Sequence, residues 1–432
     1  MTIEVKPVPS DTLASPVLVS GAGLVVAIMI VNAVNYGLNV LLANLVTPAL
    51  FGDISLMVTI LLITGVLAST LQLVTSVSLL GPDSEPGDHA RRLSTMRLLA
   101  NRLGLGGGVA LALASPFAAD ILQVEDARSL VIMAIGFPAH LQLAVERGRL
   151  QGQMALGRMA STFLGEGATR FLATLVALAV FPHLLTLTIA LNLGFLGAYV
   201  LCRPKVGRWA WCDLSSPSGH PPVRSVGIAV VAATLLMNLD LVVAKAVFEP
   251  ADAGSFAALA LGGRIVFFAS WTLQQALLPL VSAKSSVHPM GAQAGQRLFL
   301  AANGIICGVL VAGAWLWADT WVLVGFGEHF EGIAPLFGPY AFGTALIAML
   351  SAYALVCSTR GDDRPGVALV CGSAVLISVL FAMGGSLDQF VAARQVVLVG
   401  FVAVGAVVSQ FPNRSSQRNA GRCRRVLEGV FS

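Results

Sequence analysis

Twelve apolar stretches divide this chain, each long enough to cross the hydrocarbon core of a bilayer, and they leave it few ways to fold. A spanning helix needs about 20 mainly apolar residues. Runs of that length lie near residues 20–45, 54–80, 98–119, 128–145, 159–181, 184–202, 226–248, 255–283, 298–318, 333–357, 366–384 and 389–409. Of the 432 residues only 11% are charged and 56% are hydrophobic, with a mean hydropathy of +0.83; a soluble domain carries about a quarter charged residues. The sequence therefore predicts an all-α integral membrane protein of about 12 transmembrane helices. The first 16 residues hold two acids, one lysine and three prolines. That composition lacks the basic start and apolar centre of a cleavable leader, so the first apolar helix is expected to stay.

The basic residues orient the spans. With the N-terminus in the cytoplasm, 21 of the 26 lysines and arginines fall on the inner face: Lys6, four around 91–102, three at 147–158, four at 203–224, two at 284–297, two at 360–364 and five at 414–425. The outer connections carry acids instead (Asp120, Glu125, Asp126, Glu249, Asp252, Asp319, Glu328, Glu331 and Asp388), with Arg128 as their single basic residue. By the positive-inside rule both termini are expected in the cytoplasm. The arginine-rich tail NRSSQRNAGRCRR then meets the anionic inner leaflet, which makes membrane lipids its expected partner and not nucleic acid. The Pro- and Ser-rich segment at the midpoint reads as a linker. The expected units are an N-terminal arm at 1–19, a six-helix bundle at 20–202, the linker at 203–225, a second six-helix bundle at 226–409 and the tail at 410–432.

The two halves begin alike. An apolar helix ending in Pro48-x-x-x-Gly52 recurs as one ending in Pro250-x-x-x-Gly254, 202 residues on. Proline cannot continue a helix and glycine relieves a tight corner, so each half should open with helix, sharp outer turn and helix. Six spans per half is an even number, so the halves insert with the same orientation, related by a pseudo-two-fold along the membrane normal, as in alternating-access transporters.

Four stretches carry a family resemblance: LANLVTPALFG in the first hairpin, RGRLQGQMALGRMAS at 147–161, NLDLVVAKAVFEPADAGSFAALALGGRIVFFASWTLQQALLPLVS at 238–282, and VLVGFGEHFEGIAPLFGPYAFGTAL at 322–346. In order along nearly the whole chain, they resemble the polysaccharide exporters of the multidrug/oligosaccharidyl-lipid/polysaccharide (MOP) superfamily. The resemblance implies a multi-pass protein of the bacterial inner membrane. It would carry an undecaprenyl-diphosphate-linked oligosaccharide from the inner to the outer leaflet through a central cavity; a polysaccharide polymerase is a candidate partner, and the sequence does not decide whether one is required. Lipid II flippases of the same superfamily resemble the chain less, since they usually carry two further C-terminal helices.

Six charged groups fall inside apolar segments, where each costs about 2.5 to 3.5 kcal/mol even on the lenient insertion scale. Glu166 and Arg170 lie four apart and can pair directly, either as a structural pair or facing a cavity. Asp240 and Lys245 lie five apart, about 140° around a helix, so each must look elsewhere. Asp240, beside Asn238, is the expected site for a coupling ion, H+ or Na+, with Glu166 a second candidate for charge relay. Lys245 and Arg394 sit near outer helix ends, where snorkelling to the interface competes with a role in the head-group site. Arg264 follows Gly262-Gly263 about 15 Å into its helix, too deep to snorkel. Four basic groups against two acids suit an anionic head group, and guanidinium forks suit phosphate oxygens. The expected head-group ligands are thus Arg264, Arg170, Lys245 and Arg394. Asn32, Asn35, Asn39, Asn238, Gln274 and Gln275 are expected to line the pathway, although for the Asn stripe helix-to-helix hydrogen bonding competes.

Other chemistry finds little support. The six cysteines have no CxxC or metal-like spacing, the six histidines are scattered, and no nucleotide motif is present. No metal or other cofactor is expected, and Gly106-Gly107-Gly108 reads as a helix-packing site. Transport would draw on an ion gradient, the membrane potential or the substrate gradient. A multidrug or small-solute exporter is the alternative within transport. A polysaccharide polymerase or membrane glycosyltransferase is disfavoured by outer loops of about 13 residues at most.

Overall fold

In hydrocarbon each backbone amide must be satisfied within its own segment, and the chain answers with helices throughout. The computed structural model describes residues 10–79, 86–202, 221–285, 289–359, 362–383 and 385–409. Most of the N-terminal arm, the linker at 203–220, the tail from 410 and the side chain of Gln275 lie outside the described residues.

The first half holds α1 (Ser10–Leu45), α2 (Pro48–Leu79), α3 (Pro86–Ile121), α4 (Ala127–Gly152), α5 (Leu156–Val180) and α6 (Leu184–Cys202). The second holds α7 (Pro221–Val247), α8 (Pro250–Ser285), α9 (Pro289–Leu316), the short α10 (Ala318–Phe326), α11 (Ala334–Ser358), α12 (Arg364–Ala382) and α13 (Leu387–Ser409). Twelve of these are long and apolar enough to cross a membrane, and each matches one of the expected runs. The differences lie at the ends. The helix expected from residue 98 begins at Pro86, because the arginines at 91, 92 and 97 stay helical beyond the apolar run. Likewise α4 carries Glu146, Arg147 and Arg149, placed by sequence in an inner loop. The short α10 was not anticipated.

Proline opens α2, α3, α7, α8 and α9, where its missing N–H costs nothing and its fixed φ suits the first turn. Asp126 caps α4 by accepting from the Arg128 backbone N–H at 2.9 Å. Its carboxyl also accepts from the Arg128 guanidinium, which holds it below the usual carboxylate range.

Small residues set the close helix crossings. Gly104 of α3 faces Pro138 of α4, where an added Cβ would lie 2.7 Å from the Pro138 Cα. In the glycine triplet, Gly108 presses on the Ala134 carbonyl of α4 whereas Gly106 has nothing within 4 Å, so only part of that run is a packing site. The repeated turns meet each other. A Cβ on Gly52 would come 3.1 Å from the Gly254 Cα, and one on Gly254 would collide with the Pro48 carbonyl. The turn ends of the two halves thus pack backbone to backbone at their own repeat motif. Around that contact, Phe51 meets Phe330 edge to face at 5.8 Å, and Asn44 Nδ2 donates to the Gly325 carbonyl at 3.0 Å. The outward surface stays apolar, with Leu113 and Phe117 each 74% exposed.

Candidate functional site

Below the glycine contact the halves separate around a cavity of about 1180 Å³. Its deep wall includes Leu42, Val58 and Leu261, and its lining runs to Gln72, Gln151, Val226 and Thr272 near the opposite helix ends. It therefore reaches toward the end where the basic residues gather.

Arg264 stands in this wall. Gly262 and Gly263 press α8 onto α11, the second so closely that a Cβ would sit 2.5 Å from the Tyr340 ring. The helix is thereby pinned on one side, and the next residue turns toward α2 and α7. Arg264 Nη2 donates to Thr59 Oγ1 at 2.7 Å and Asn238 Oδ1 at 3.4 Å. It is 5% exposed, its Nε has no acceptor, and among the described residues no carboxylate lies within salt-bridge distance. A guanidinium with unspent donors in a buried wall has the chemistry to hold an anion such as phosphate.

Across the cavity Glu166 and Arg170 form the i, i+4 pair expected from sequence, at 2.5 Å, and both line the cavity. A third member was missed. Arg147 donates to the other Glu166 oxygen at 2.8 Å and to Thr162 Oγ1 at 3.0 Å, with its guanidinium 3.8 Å above the Phe163 ring. One acid between two arginines leaves this cluster one positive charge in excess. Arg170 also reaches Asn35 Oδ1 at 3.5 Å, and its Nε has no acceptor. Beside it His140 stacks on Phe195 at 4.4 Å.

Four expectations are corrected. Lys245 does not snorkel: it is fully buried and its Nζ lies 2.6 Å from Asp53 Oδ1 on α2, in the other half. Asp53 follows the turn glycine just before the apolar run, a place where sequence does not mark it as an intramembrane charge; it is 4% exposed, and its second oxygen accepts from the Glu125 N–H at 3.1 Å. Arg394 is no interface anchor. Fully buried, it donates through Nε to Asp240 Oδ2 at 2.9 Å and through Nη2 to Thr344 Oγ1 at 3.2 Å, with Tyr340 Oη donating to the same Asp240 oxygen at 2.7 Å. Asp240 thus has a tethered cation where a coupling ion was expected, and neither it, Lys245 nor Arg394 lines the cavity. Gln274 is buried away from the cavity, donating to Ser270 Oγ and the Ala348 carbonyl. Asn32, Asn35, Asn39 and Asn238 do line it. The expected excess of two positive charges came from groups now paired elsewhere, so the charged lining reduces to Glu166, Arg170 and Arg264, with one positive charge in excess.

No protein-family model and no curated protein matches the sequence. Solved structures do match over most of their length. The inward-facing conformation of a multidrug resistance MATE family transporter of the MOP superfamily aligns with a TM-score of 0.68 at 12% identity, covering 87% of this chain and 94% of that one. The lipid II flippase MurJ in an inward closed conformation aligns at 0.69 and 12% identity, covering 90% and 88%. A MOP superfamily transporter from Pyrococcus furiosus, described with a binding pocket of reverse polarity, aligns at 0.52 and 15% identity, covering 90% and 95%. At these identities the likeness is one of fold: this chain has the fold of the MOP superfamily transporters.

Proposed function

We propose that the chain is a flippase, not an enzyme, which moves an undecaprenyl-diphosphate-linked oligosaccharide from the inner to the outer leaflet of a bacterial inner membrane. The observation that carries this reading is Arg264, a buried cation in the cavity wall with free donors and no carboxylate partner among the described residues. A guanidinium fork offers phosphate oxygens parallel donors in a low-dielectric setting. Arg170, held by Glu166 yet also short of an acceptor at Nε, is the second contact from the opposite half. Sealed at the repeat turns and hollow below them, the chain stands in one end state of an alternating-access cycle. Rocking of the halves about the cavity would expose the head group on the other side, where a polymerase could receive it. The likeness to a lipid II flippase supports a substrate of this kind.

A deletion strain should accumulate the undecaprenyl-linked repeat unit on the cytoplasmic leaflet; normal surface polysaccharide in that strain would sink the proposal. The second reading, a multidrug exporter, draws on the likeness to a MATE transporter and on the apolar share of the wall, such as Leu38, Leu61 and Leu261. It would show as altered drug tolerance with intact polysaccharide. The net positive lining argues against organic cations as cargo.

A further inference from the structure

Polar side chains within transmembrane helices ordinarily hydrogen-bond to neighbouring helices or line a pathway. In this cavity one group of them is left with its bonding capacity unspent. Asn32 and Tyr36, one turn apart on α1, both line the cavity, and among the described residues neither side chain has a hydrogen-bond partner. Their neighbours Asn35 and Asn39 differ, since Asn39 Nδ2 donates to the Asn35 carbonyl at 2.7 Å and Asn35 Oδ1 meets Arg170. Gln72 of α2 and Gln151 of α4 share a single bond, Nε2 to Oε1 at 3.1 Å, which among the described residues leaves the side-chain carbonyl of the first and the amide N–H groups of the second without a partner. Trp271 completes the set. It lines the cavity two turns beyond Arg264 on α8, about 10 Å along the axis, and is backed by Phe267 in a parallel stack (centroids 6.1 Å, 11°).

None of these five residues carries a charge, so they offer an ion no countercharge. Amides and a phenol pair donor with acceptor, as adjacent hydroxyls require, and an aromatic face with its negative quadrupole suits the C–H face of a sugar ring. The cavity exceeds the 300 to 1,000 Å³ usual for a drug-sized ligand, leaving room for rings beyond the diphosphate. The geometry points to a carbohydrate subsite, formed by Asn32, Tyr36, Gln72, Gln151 and Trp271, that takes the neutral sugars proximal to the diphosphate. This rests on the flippase reading and adds an extent to it: Asn32 and Tyr36 flank Asn35, which meets Arg170, and Gln72, Gln151 and Trp271 lie beyond them toward the basic end of the bundle.

The test is calorimetric titration of the full chain in nanodiscs with two probes, farnesyl diphosphate bearing a neutral disaccharide and farnesyl diphosphate alone. Trp271→Ala and Asn32→Ala should each weaken the glycosylated probe about tenfold while changing the bare one less than twofold, and Trp271→Phe should restore most of the loss. Binding of the bare probe doubles as the check on folding. If both alanine variants leave the glycosylated probe unaffected, or weaken the two probes equally, the subsite is refuted and the flippase reading stands. If wild type binds neither probe, the flippase reading itself falls and takes the subsite with it.

Discussion

Breaking the ion pair between Asp53 and Lys245 should open the seal at the repeat turns. The two groups come from different halves, lie 2.6 Å apart with side-chain exposures of 5% and 0%, and sit beside the contact between Gly52 and Gly254. Lys245→Met removes the cation and leaves the Asp53 carboxylate buried. Stranding one member of a buried pair costs about 3 to 5 kcal/mol. Much of that cost vanishes if the seal opens and water reaches Asp53. With every 1.4 kcal/mol worth a factor of ten, even the lower figure shifts the balance toward the state open at these turns about a hundredfold. The assay is labelling of Ser55→Cys by a membrane-impermeant maleimide added from outside, in a background lacking the six native cysteines. Ser55 is 2% exposed in the sealed form. Labelling should accelerate about a hundredfold in Lys245→Met and fall back most of the way when Asp53→Leu is added, since that change removes the stranded charge. Equal labelling of wild type and Lys245→Met, or a double variant as reactive as the single, would refute the claim that this pair latches the halves.

Arg264→Gln should abolish export while the protein still inserts, and Arg170→Gln should reduce it less, both read as surface polysaccharide at matched expression; wild-type export by Arg264→Gln would remove the phosphate seat. Arg394→Leu strands Asp240 in a fully buried site and should cost about 3 to 5 kcal/mol, seen as a lowered melting temperature in detergent. Adding Asp240→Leu should recover most of that loss, and no recovery would mean the cluster of Asp240, Arg394 and Tyr340 contributes more than charge compensation. Gly254→Val drives a side chain into the Pro48 carbonyl, so this variant should label at Ser55→Cys faster than wild type or fail to accumulate. Unchanged labelling at full expression would count against a backbone-to-backbone seal.

The spans, the mirrored turns and the pair of Glu166 with Arg170 were legible in the chain because each depends on a local period: the thickness of hydrocarbon, a proline with a glycine four residues on, two side chains one helical turn apart. The depth of Arg264 was readable on the same ground, from its helix start. Which charges meet was not. Asp53 and Lys245 are 192 residues apart, Asp240 and Arg394 are 154 apart, and Arg264 meets Thr59 across 205. Those partners are chosen by how helices cross, and glycines such as 52, 254, 262 and 263 decide the crossings by letting backbones approach, which a count of charges cannot register. Composition thus settled that intramembrane charges must find partners. Only the packing showed that Lys245 and Arg394 are spent on holding the structure together, and that Arg264 faces the cavity with donors to spare.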